Sequence, residues 1–326
     1  MQWEKPDFEG EVIEAYARIS NVIKKTPVDF SPFLSEKTGG KIYIKWENEQ
    51  LTGSFKLRGA LNKFGRLTDK MRKAGVVSAS TGNHGLAVSY ASQLEKVDLK
   101  LFLPETAAPE KRGKIEAFGV NPVIFGTSCE ITEAYARQFA VENRRIFISP
   151  YNDWDIIFGA GTLAIELMES VPQLEDVIVP VGGGGLISGV AGFLKAVHPS
   201  VRIIGVEPEN SAFMKASIAA GRVVNIEEKK TIADAVAGGI ESWSVSFPLC
   251  RDYVDKMITV PEREIGKAMA LIHREHGKVI EGAGALSVAA AFYYHWLFKN
   301  RNAAAVVTGG NIDQERFSAI IKEAIL

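Results

Sequence analysis

Cysteine is scarce in this sequence, and neither sign of charge is in excess. Two cysteines occur among 326 residues, Cys129 and Cys250, at a spacing that matches no metal site. Lysine and arginine number 38 against 39 acidic residues, which gives a formal net charge of -1. This balance argues against nucleic acid or anionic lipid as a partner. A reducing compartment and a small-molecule substrate are expected.

Long apolar runs are lacking as well. No stretch approaches the ~18 uninterrupted apolar residues of a membrane span, and the N-terminus (MQWEKPD) is too polar for a signal peptide. We therefore expect a cytoplasmic protein with no membrane contact. Its length is enough for two domains.

Short apolar strands alternate with helical segments. Strand patterns occur at 41–47, 76–79, 99–103, 122–125, 146–148, 177–181, 201–206 and 304–307, and helical spacing occurs at 11–24, 56–67, 84–95, 110–118, 130–143, 156–169 and 186–197. This alternation predicts an α/β fold of two open, mainly parallel twisted sheets flanked by helices. We expect residues 1–50 and 151–326 to form a larger, discontinuous domain, and residues 51–150 to form a smaller domain.

Four loops have unusual composition: 53–60 (GSFKLRGA), 80–85 (STGNHG), 182–185 (GGGG) and 308–311 (TGGN). The last three directly follow predicted strands. Ligands of open parallel sheets lie at the carboxyl ends of the strands, with the active site between the domains when there are two. The loops are therefore expected to form one site.

The four-glycine loop lies between a buried strand and a helix that begins near Leu186. Without Cβ atoms, its backbone N–H groups can face one phosphate, aided by the helix N-terminus. A tightly packed turn is the competing interpretation. A dinucleotide site is a further alternative, since Glu207 lies about 20 residues on, but the third glycine of that motif is replaced by Ser188.

Lys56 is the candidate nucleophile. Ser54 is expected to cap a helix that Lys56 opens, and a helix N-terminus disfavours the ammonium form. A neutral amine would capture an aldehyde cofactor as a Schiff base. An isolated lysine is usually a surface charge, and here the neighbouring loops favour the functional role.

Two further loops supply polar groups. The hydroxyls of Ser80 and Thr81, with N–H groups at a helix start, suit a carboxylate, and Asn83 can donate to a phenolate oxygen. An ordinary helix cap is the alternative there, and the commoner role for His84 is structural. Thr308 can hydrogen-bond a pyridine nitrogen. A hydroxyl leaves that nitrogen mostly neutral, which favours β-elimination over transamination.

These four motifs, in this order from about Ile19 to Asn311, resemble those of the fold type II pyridoxal-phosphate enzymes (tryptophan synthase beta-like), in particular the serine/threonine dehydratase and serine racemase group. The resemblance implies that Lys56 binds the cofactor and abstracts the Cα proton. It implies further cofactor contacts from Phe55, Asn83, Gly182, Gly183, Gly184, Gly185, Leu186 and Thr308. It implies substrate contacts from Ser80, Thr81, Asn83, His84 and Glu281. The larger domain would then bind the cofactor, and the smaller domain would carry the substrate-carboxylate loop at residues 80–85.

The resemblance implies a homodimeric lyase of amino-acid catabolism that converts L-threonine or L-serine to a 2-oxo acid and ammonia. Alternatives are a serine racemase, or a dehydratase for hydroxyaspartate, phenylserine or a hydroxyectoine-pathway substrate. A cofactor-carrying protein without turnover and a dinucleotide oxidoreductase belong to other classes.

Departures from the family pattern bear on these expectations. In racemases of the group, a serine at the position of Thr81 acts on the ring face opposite the lysine. Thr81 is therefore a second candidate catalytic residue, which keeps the hydroxyl but adds a methyl group. Some relatives bind a divalent cation through acids at the positions of Glu207 and Phe213, so one ligand is missing here. A monovalent or divalent cation at Glu207 stays an expectation, beside an ordinary strand-end acid. The chain stops soon after Thr308, so no C-terminal regulatory domain is expected.

Overall fold

In the computed structural model, which describes residues 6–107 and 109–325, the chain forms two open sheets flanked by helices. The strands within those residues are β1 (Val28–Phe30), β2 (Lys41–Trp46), β3 (Val76–Ala79), β4 (Leu99–Leu103), β5 (Val123–Ile124), β6 (Ile146–Phe147), β7 (Asp176–Pro180), β8 (Arg202–Pro208), β9 (Lys256–Val260) and β10 (Asn302–Val307). The α-helices are α1 (Phe8–Ile19), α2 (Pro32–Thr38), α3 (Lys56–Gly65), α4 (Asp69–Ala74), α5 (Asn83–Glu95), α6 (Pro109–Glu116), α7 (Cys129–Glu142), α8 (Trp154–Ser170), α9 (Gly185–Val197), α10 (Phe213–Ala220), α11 (Ser246–Tyr253), α12 (Glu262–His276), α13 (Gly282–Tyr293) and α14 (Gln314–Ile325).

The larger sheet has the strand order β1-β2-β10-β7-β8-β9, and the smaller sheet has the order β5-β4-β3-β6. Every neighbouring pair is parallel except β1 and β2. The predicted fold class is thus confirmed. Because parallel strands present their carboxyl ends at one edge, the loops that follow β7 and β10 meet there, as do those that follow β3 and β6.

The central strands are mainly apolar and largely buried, as parallel sheets covered by helices require. Helices α8 and α9 cover one face and touch through their backbones. A Cβ on Gly189 would lie 2.1 Å from the carbonyl oxygen of Ile157. This contact fixes α9, the helix into which the four-glycine loop leads. No helix among the described residues is both long and apolar enough to span a membrane.

Four buried charged side chains join α3 to the larger sheet and α8. They are Lys45, Glu47, Arg58 and Glu166, each with 0% of its side chain exposed. Arg58 donates two hydrogen bonds to Glu47, both 2.8 Å, and bonds of 2.8 and 2.9 Å to Glu166. Lys45 also donates to Glu166. This buried charge cluster is neutral overall, and it holds α3 two residues after Lys56.

Some elements differ from the predicted ones. Helix α1 ends at Ile19 rather than at residue 24, because residues 20–23 form turns. Helix α13 (GAGALSVAAAFY) was not predicted, since residues 282–291 are all buried and a helix that is apolar all round has no amphipathic period. Strand β9 was not predicted either, because the lysine at its start weakens its strand pattern.

The strands of the smaller sheet come from residues 76–147, and those of the larger sheet from residues 28–46 and 176–307. The domain boundaries at residues 50 and 150 stay a prediction.

Candidate active site

Lys56 is the first residue of α3, at the convergence of several loops. Its Nζ atom donates a 2.7 Å hydrogen bond to the carbonyl oxygen of Pro150 and lies 5.1 Å from the centre of the Phe55 ring. Burial lowers the pKa of this amine to about 8, although the Glu281 carboxylate raises it in part. A substantial fraction of neutral amine is therefore available near pH 8.

Ser54 does not cap α3 as expected. The residue that precedes the helix is Phe55, which forms no side-chain cap, and Oγ of Ser54 is buried without a hydrogen-bond partner among the described residues. The cause is the backbone, since Ser54 pairs with Gly309 as an antiparallel bridge. That pairing places Ser54 in a backbone bridge rather than at the N-cap position of α3.

The backbone joins the Lys56 loop to the Thr308 loop on both sides of that bridge. The amide of Phe55 donates to the carbonyl oxygen of Thr308 at 3.1 Å, and the amide of Gly310 donates to that of Gly53 at 3.0 Å. Thr308 itself is buried. These backbone bonds hold Thr308 next to the loop that carries Lys56.

Asn83, the first residue of α5, links the substrate-carboxylate loop to the same cluster. Its Nδ2 atom donates to Oε1 of Glu281 at 2.6 Å. The amide of Glu281 in turn donates to the carbonyl oxygen of Gly309 at 3.2 Å. Burial raises the pKa of the Glu281 carboxyl to about 7, against the lowering effect of the bond from Asn83. Glu281 therefore lies beside these loops. It is buried immediately before α13, rather than exposed to solvent on a helix surface.

The loop before α5 presents backbone amides. The N–H groups of Asn83, His84 and Gly85 lie in the first helical turn, where no intrahelical carbonyl can accept them. The side chains of Ser80 and Thr81 are half-buried just before that turn. This arrangement suits a carboxylate, and the predicted substrate contacts of these residues stay predictions.

The His84 ring is turned away from this turn, towards the strands. Its Nε2 atom lies 3.1 Å from Oγ of Ser78 and 3.2 Å from the carbonyl oxygen of Ile148. Burial, together with the charge of Lys56, lowers the pKa of His84 to about 3, so the imidazole is neutral. The ring has a structural role here, and a substrate contact from His84 remains a prediction.

The four-glycine loop enters α9 through a left-handed residue, Gly184, with φ 86°. The amides of Gly185 and Leu186 lie in the first turn of α9 and have no intrahelical acceptor. The ring of Tyr151 covers the loop, because a Cβ on Gly183 would lie 2.5 Å from Cγ of that tyrosine. Glycine is therefore required in this loop for two reasons. The Tyr151 ring leaves no room for a Cβ, and the first-turn amides stay accessible to a ligand when no side chain covers them.

Glu207 is the penultimate residue of β8, and its carboxylate caps α10. One oxygen accepts from the amide of Met214 at 2.7 Å and the other from that of Lys215 at 2.8 Å. Burial raises the pKa of Glu207 to about 7. No group of three or more histidine, cysteine, aspartate or glutamate residues in the described part of the chain could hold a metal ion. A cation at Glu207 stays a prediction.

Sequence reasoning missed three contributors to this site. Pro150 supplies the carbonyl oxygen that accepts from Lys56, Tyr151 covers the glycine loop, and Asn311 contacts Asn83. Pro150 and Tyr151 lie just beyond β6, at the carboxyl end of a parallel strand, and that position was the available signal. No sequence pattern indicates how the Asn311 side chain is oriented within its glycine-rich loop.

A family model described as "Pyridoxal-phosphate dependent enzyme" matches residues 19–309. The L-threonine ammonia-lyase of Thermotoga maritima is 40% identical over 318 residues, which are 97% of this chain and 78% of that relative.

Two solved structures are also similar. The processed form of threonine deaminase isoform 2 from Solanum lycopersicum has a TM-score of 0.93 at 31% identity, covering 99% of this chain and 95% of that one. Maize serine racemase has a TM-score of 0.90 at 32% identity, covering 97% of both chains.

Proposed function

Because the chain belongs to the pyridoxal-phosphate dependent enzymes, we propose that it is a dehydratase (ammonia-lyase) that removes the β-hydroxyl of L-threonine or L-serine to give a 2-oxo acid and ammonia. The observation that carries the proposal is the partly buried amine of Lys56, whose pKa is lowered to about 8 at the point where the loops converge. The name of the Thermotoga maritima relative supports threonine as the first substrate to test.

The residues present fit pyridoxal phosphate. Amides of the first turn of α9 lie in a loop without side chains, as a phosphate requires. The buried hydroxyl of Ser54, which has no hydrogen-bond partner among the described residues, and the lowered pKa of Lys56 are both consistent with a ligand that binds at these loops. When bound, pyridoxal phosphate supplies an electron sink that stabilises the carbanion at the substrate Cα.

The cofactor contacts follow from these positions. Glycines 182–185 and Leu186 would hold the phosphate, and Lys56 the aldehyde carbon. Thr308 would face the ring nitrogen, Asn83 the ring hydroxyl, and Phe55 one face of the ring. These assignments are part of the proposal and follow the order of the four motifs.

The chain's own groups then position the substrate and move one proton. The first-turn amides of α5, with the hydroxyls of Ser80 and Thr81, bind the substrate carboxylate. Once the substrate amine had replaced it on the aldehyde carbon, Nζ of Lys56 would be free to take the Cα proton as general base. It would return that proton to the hydroxyl, which would leave Cβ as water. The released enamine takes up water to give the 2-oxo acid and ammonia, so the net reaction consumes only the amino acid.

Serine racemisation is a second candidate, favoured by the likeness to the maize racemase. It needs a second acid–base group on the ring face opposite Lys56, and Thr81 is the candidate for that role. Threonine keeps the hydroxyl, but its extra methyl group restricts rotation. We therefore propose β-elimination, rather than racemisation, as the main reaction.

The cation, the location and the assembly belong to the same proposal. Both oxygens of Glu207 already accept amide hydrogens, which supports a helix cap more than a cation site. Both cysteines are free, which agrees with a reducing cytoplasm. Assembly as a homodimer is testable by light scattering.

The test is a screen of 3-hydroxy amino acids with the pyridoxal-phosphate-loaded protein. Release of 2-oxo acid is measured, together with D-serine formation from L-serine, with and without Mg²⁺ or K⁺. We expect 2-oxobutanoate from threonine without added cation. Formation of D-serine without 2-oxo acid would favour the racemase, and release only from hydroxyaspartate or phenylserine would reassign the substrate.

A further inference from the structure

We propose that Asn311 is a positioning residue, which fixes the side-chain amide of Asn83 so that its Nδ2 atom faces the bound cofactor. The proposal depends on cofactor binding at Lys56 and not on the identity of the substrate. Asn83 is buried at the start of α5, whereas Asn311 lies half-buried beyond β10. The two side chains come from loops 228 residues apart and meet in the site.

The orientation is set by a backbone carbonyl, which can only accept hydrogen bonds. Nδ2 of Asn311 donates to the carbonyl oxygen of Thr52 at 2.8 Å and to Oδ1 of Asn83 at 2.7 Å. The atom that faces Thr52 must be a donor, so the amide of Asn311 has only one satisfactory orientation. In that orientation it also presents a donor to Asn83.

The same reasoning extends to Asn83. Because its Oδ1 atom faces a donor, its Nδ2 atom lies on the opposite side of the amide and donates to Oε1 of Glu281 at 2.6 Å. An amide nitrogen carries two N–H groups, and Glu281 takes one of them. The second remains for the ring hydroxyl of the cofactor. A reversed amide would instead place an oxygen against the Glu281 carboxylate and present no donor to the ring.

Gly53 provides the space that Asn311 needs. Its φ of +74° lies in the left-handed region, and a Cβ there would lie 2.6 Å from Oδ1 of Asn311. The carbonyl oxygen of Gly53 also accepts from the amide of Gly310 at 3.0 Å. Asn311 is thus seated on the backbone of the loop that carries Lys56, so the loop that holds the lysine also orients Asn83.

The variant Asn311→Asp tests this role at nearly constant shape. A carboxylate there faces two acceptors, the Thr52 carbonyl and Oδ1 of Asn83, so the amide of Asn83 turns over. Pyridoxal phosphate is titrated into the cofactor-free protein, with tryptophan fluorescence and the visible absorption band as readouts. We expect about tenfold weaker binding and a displaced absorption maximum, as for the loss of one hydrogen bond to a charged oxygen. Asn143→Asp, at the exposed end of α7, is the matched control and should change neither.

A double-mutant cycle separates positioning from a direct role. If Asn311 acts through Asn83, then Asn311→Asp should weaken cofactor binding no further in an Asn83→Ala background. Additive losses would overturn the proposal. An unchanged affinity and absorption band in Asn311→Asp would also overturn it, whatever happens to the melting temperature of the cofactor-free protein. Asn311→Ala, which removes the donor without adding charge, gives the same comparison if the aspartate variant does not fold.

These readouts do not use turnover. Inactivity of the wild-type protein towards threonine would count against the proposed reaction and would leave the affinity comparison intact.

Discussion

Nζ of Lys56 and the carbonyl oxygen of Pro150 lie 2.7 Å apart, across 94 positions of sequence. The contact joins the start of α3 to the chain just beyond β6. A carbonyl oxygen accepts a hydrogen bond from either the neutral amine or the ammonium, so Pro150 can hold Nζ before and after proton transfer. It orients the lysine without fixing its charge.

Replacing the lysine tests the whole proposal. Lys56→Ala should abolish both 2-oxo acid release and the visible absorption band of the bound cofactor, because one amine accounts for both. Lys41→Ala, on the exposed start of β2, is the control and should keep both. Full activity in Lys56→Ala would remove the mechanism.

Glu281 predicts a pH dependence of stability. Its folded pKa of about 7 lies above the ordinary value of 4.5, so the folded protein holds this proton more tightly than the unfolded chain does. The contribution of this proton to the free energy of unfolding is up to about 3 kcal/mol. It is fully present below pH 4.5 and is lost as the pH rises through 7. Glu281→Gln keeps an acceptor for Asn83 and removes the titration.

The measurement is urea unfolding of the cofactor-free protein from pH 4.5 to pH 8. As the pH rises, the free energy of unfolding of Glu281→Gln should increase relative to that of the wild type. Glu36→Gln, on the exposed side of α2, is the control. A constant difference between Glu281→Gln and wild type over this range would refute the assignment.

The glycine loop predicts a steric effect on cofactor affinity. Gly183→Ala places a Cβ 2.5 Å from the Tyr151 ring, so the loop or the ring must shift, and pyridoxal phosphate should bind about tenfold more weakly. Gly113→Ala in α6 is the control, since no atom lies within 4 Å of its new Cβ. Adding Tyr151→Ala to Gly183→Ala should restore part of the affinity, and the absence of any recovery would show that the clash is not the cause.

The buried charge cluster predicts a large stability loss on removal of one partner. Arg58→Met leaves the Glu47 and Glu166 carboxylates with only Lys45 between them, and should lower the free energy of unfolding by about 3–5 kcal/mol. Arg66→Met breaks partly exposed ion pairs and should cost less than about 1 kcal/mol. Equal losses in urea unfolding would contradict this account.

Sequence patterns predicted the sheets well, because short apolar runs between turn residues mark buried parallel strands wherever they occur. They placed Lys56, the glycine loop and Thr308 at strand or helix ends for the same reason. Sequence patterns could not predict the directions of the side chains. The direction of the Arg58 side chain depends on Glu47 and Glu166, and only the folded chain brings α8, which carries Glu166, to that position.

The contact of Tyr151 with Gly183 has a thermodynamic consequence. Tyr151 directly follows Pro150, so one dipeptide contacts both the lysine and the loop that we assign to the phosphate. A shift of β6 and the smaller sheet would therefore change the contacts of both Lys56 and the glycine loop, and by reciprocity a coenzyme bound at these loops would bias the position of that sheet. Coenzyme affinity and the position of the smaller sheet would then be linked by a single coupling free energy.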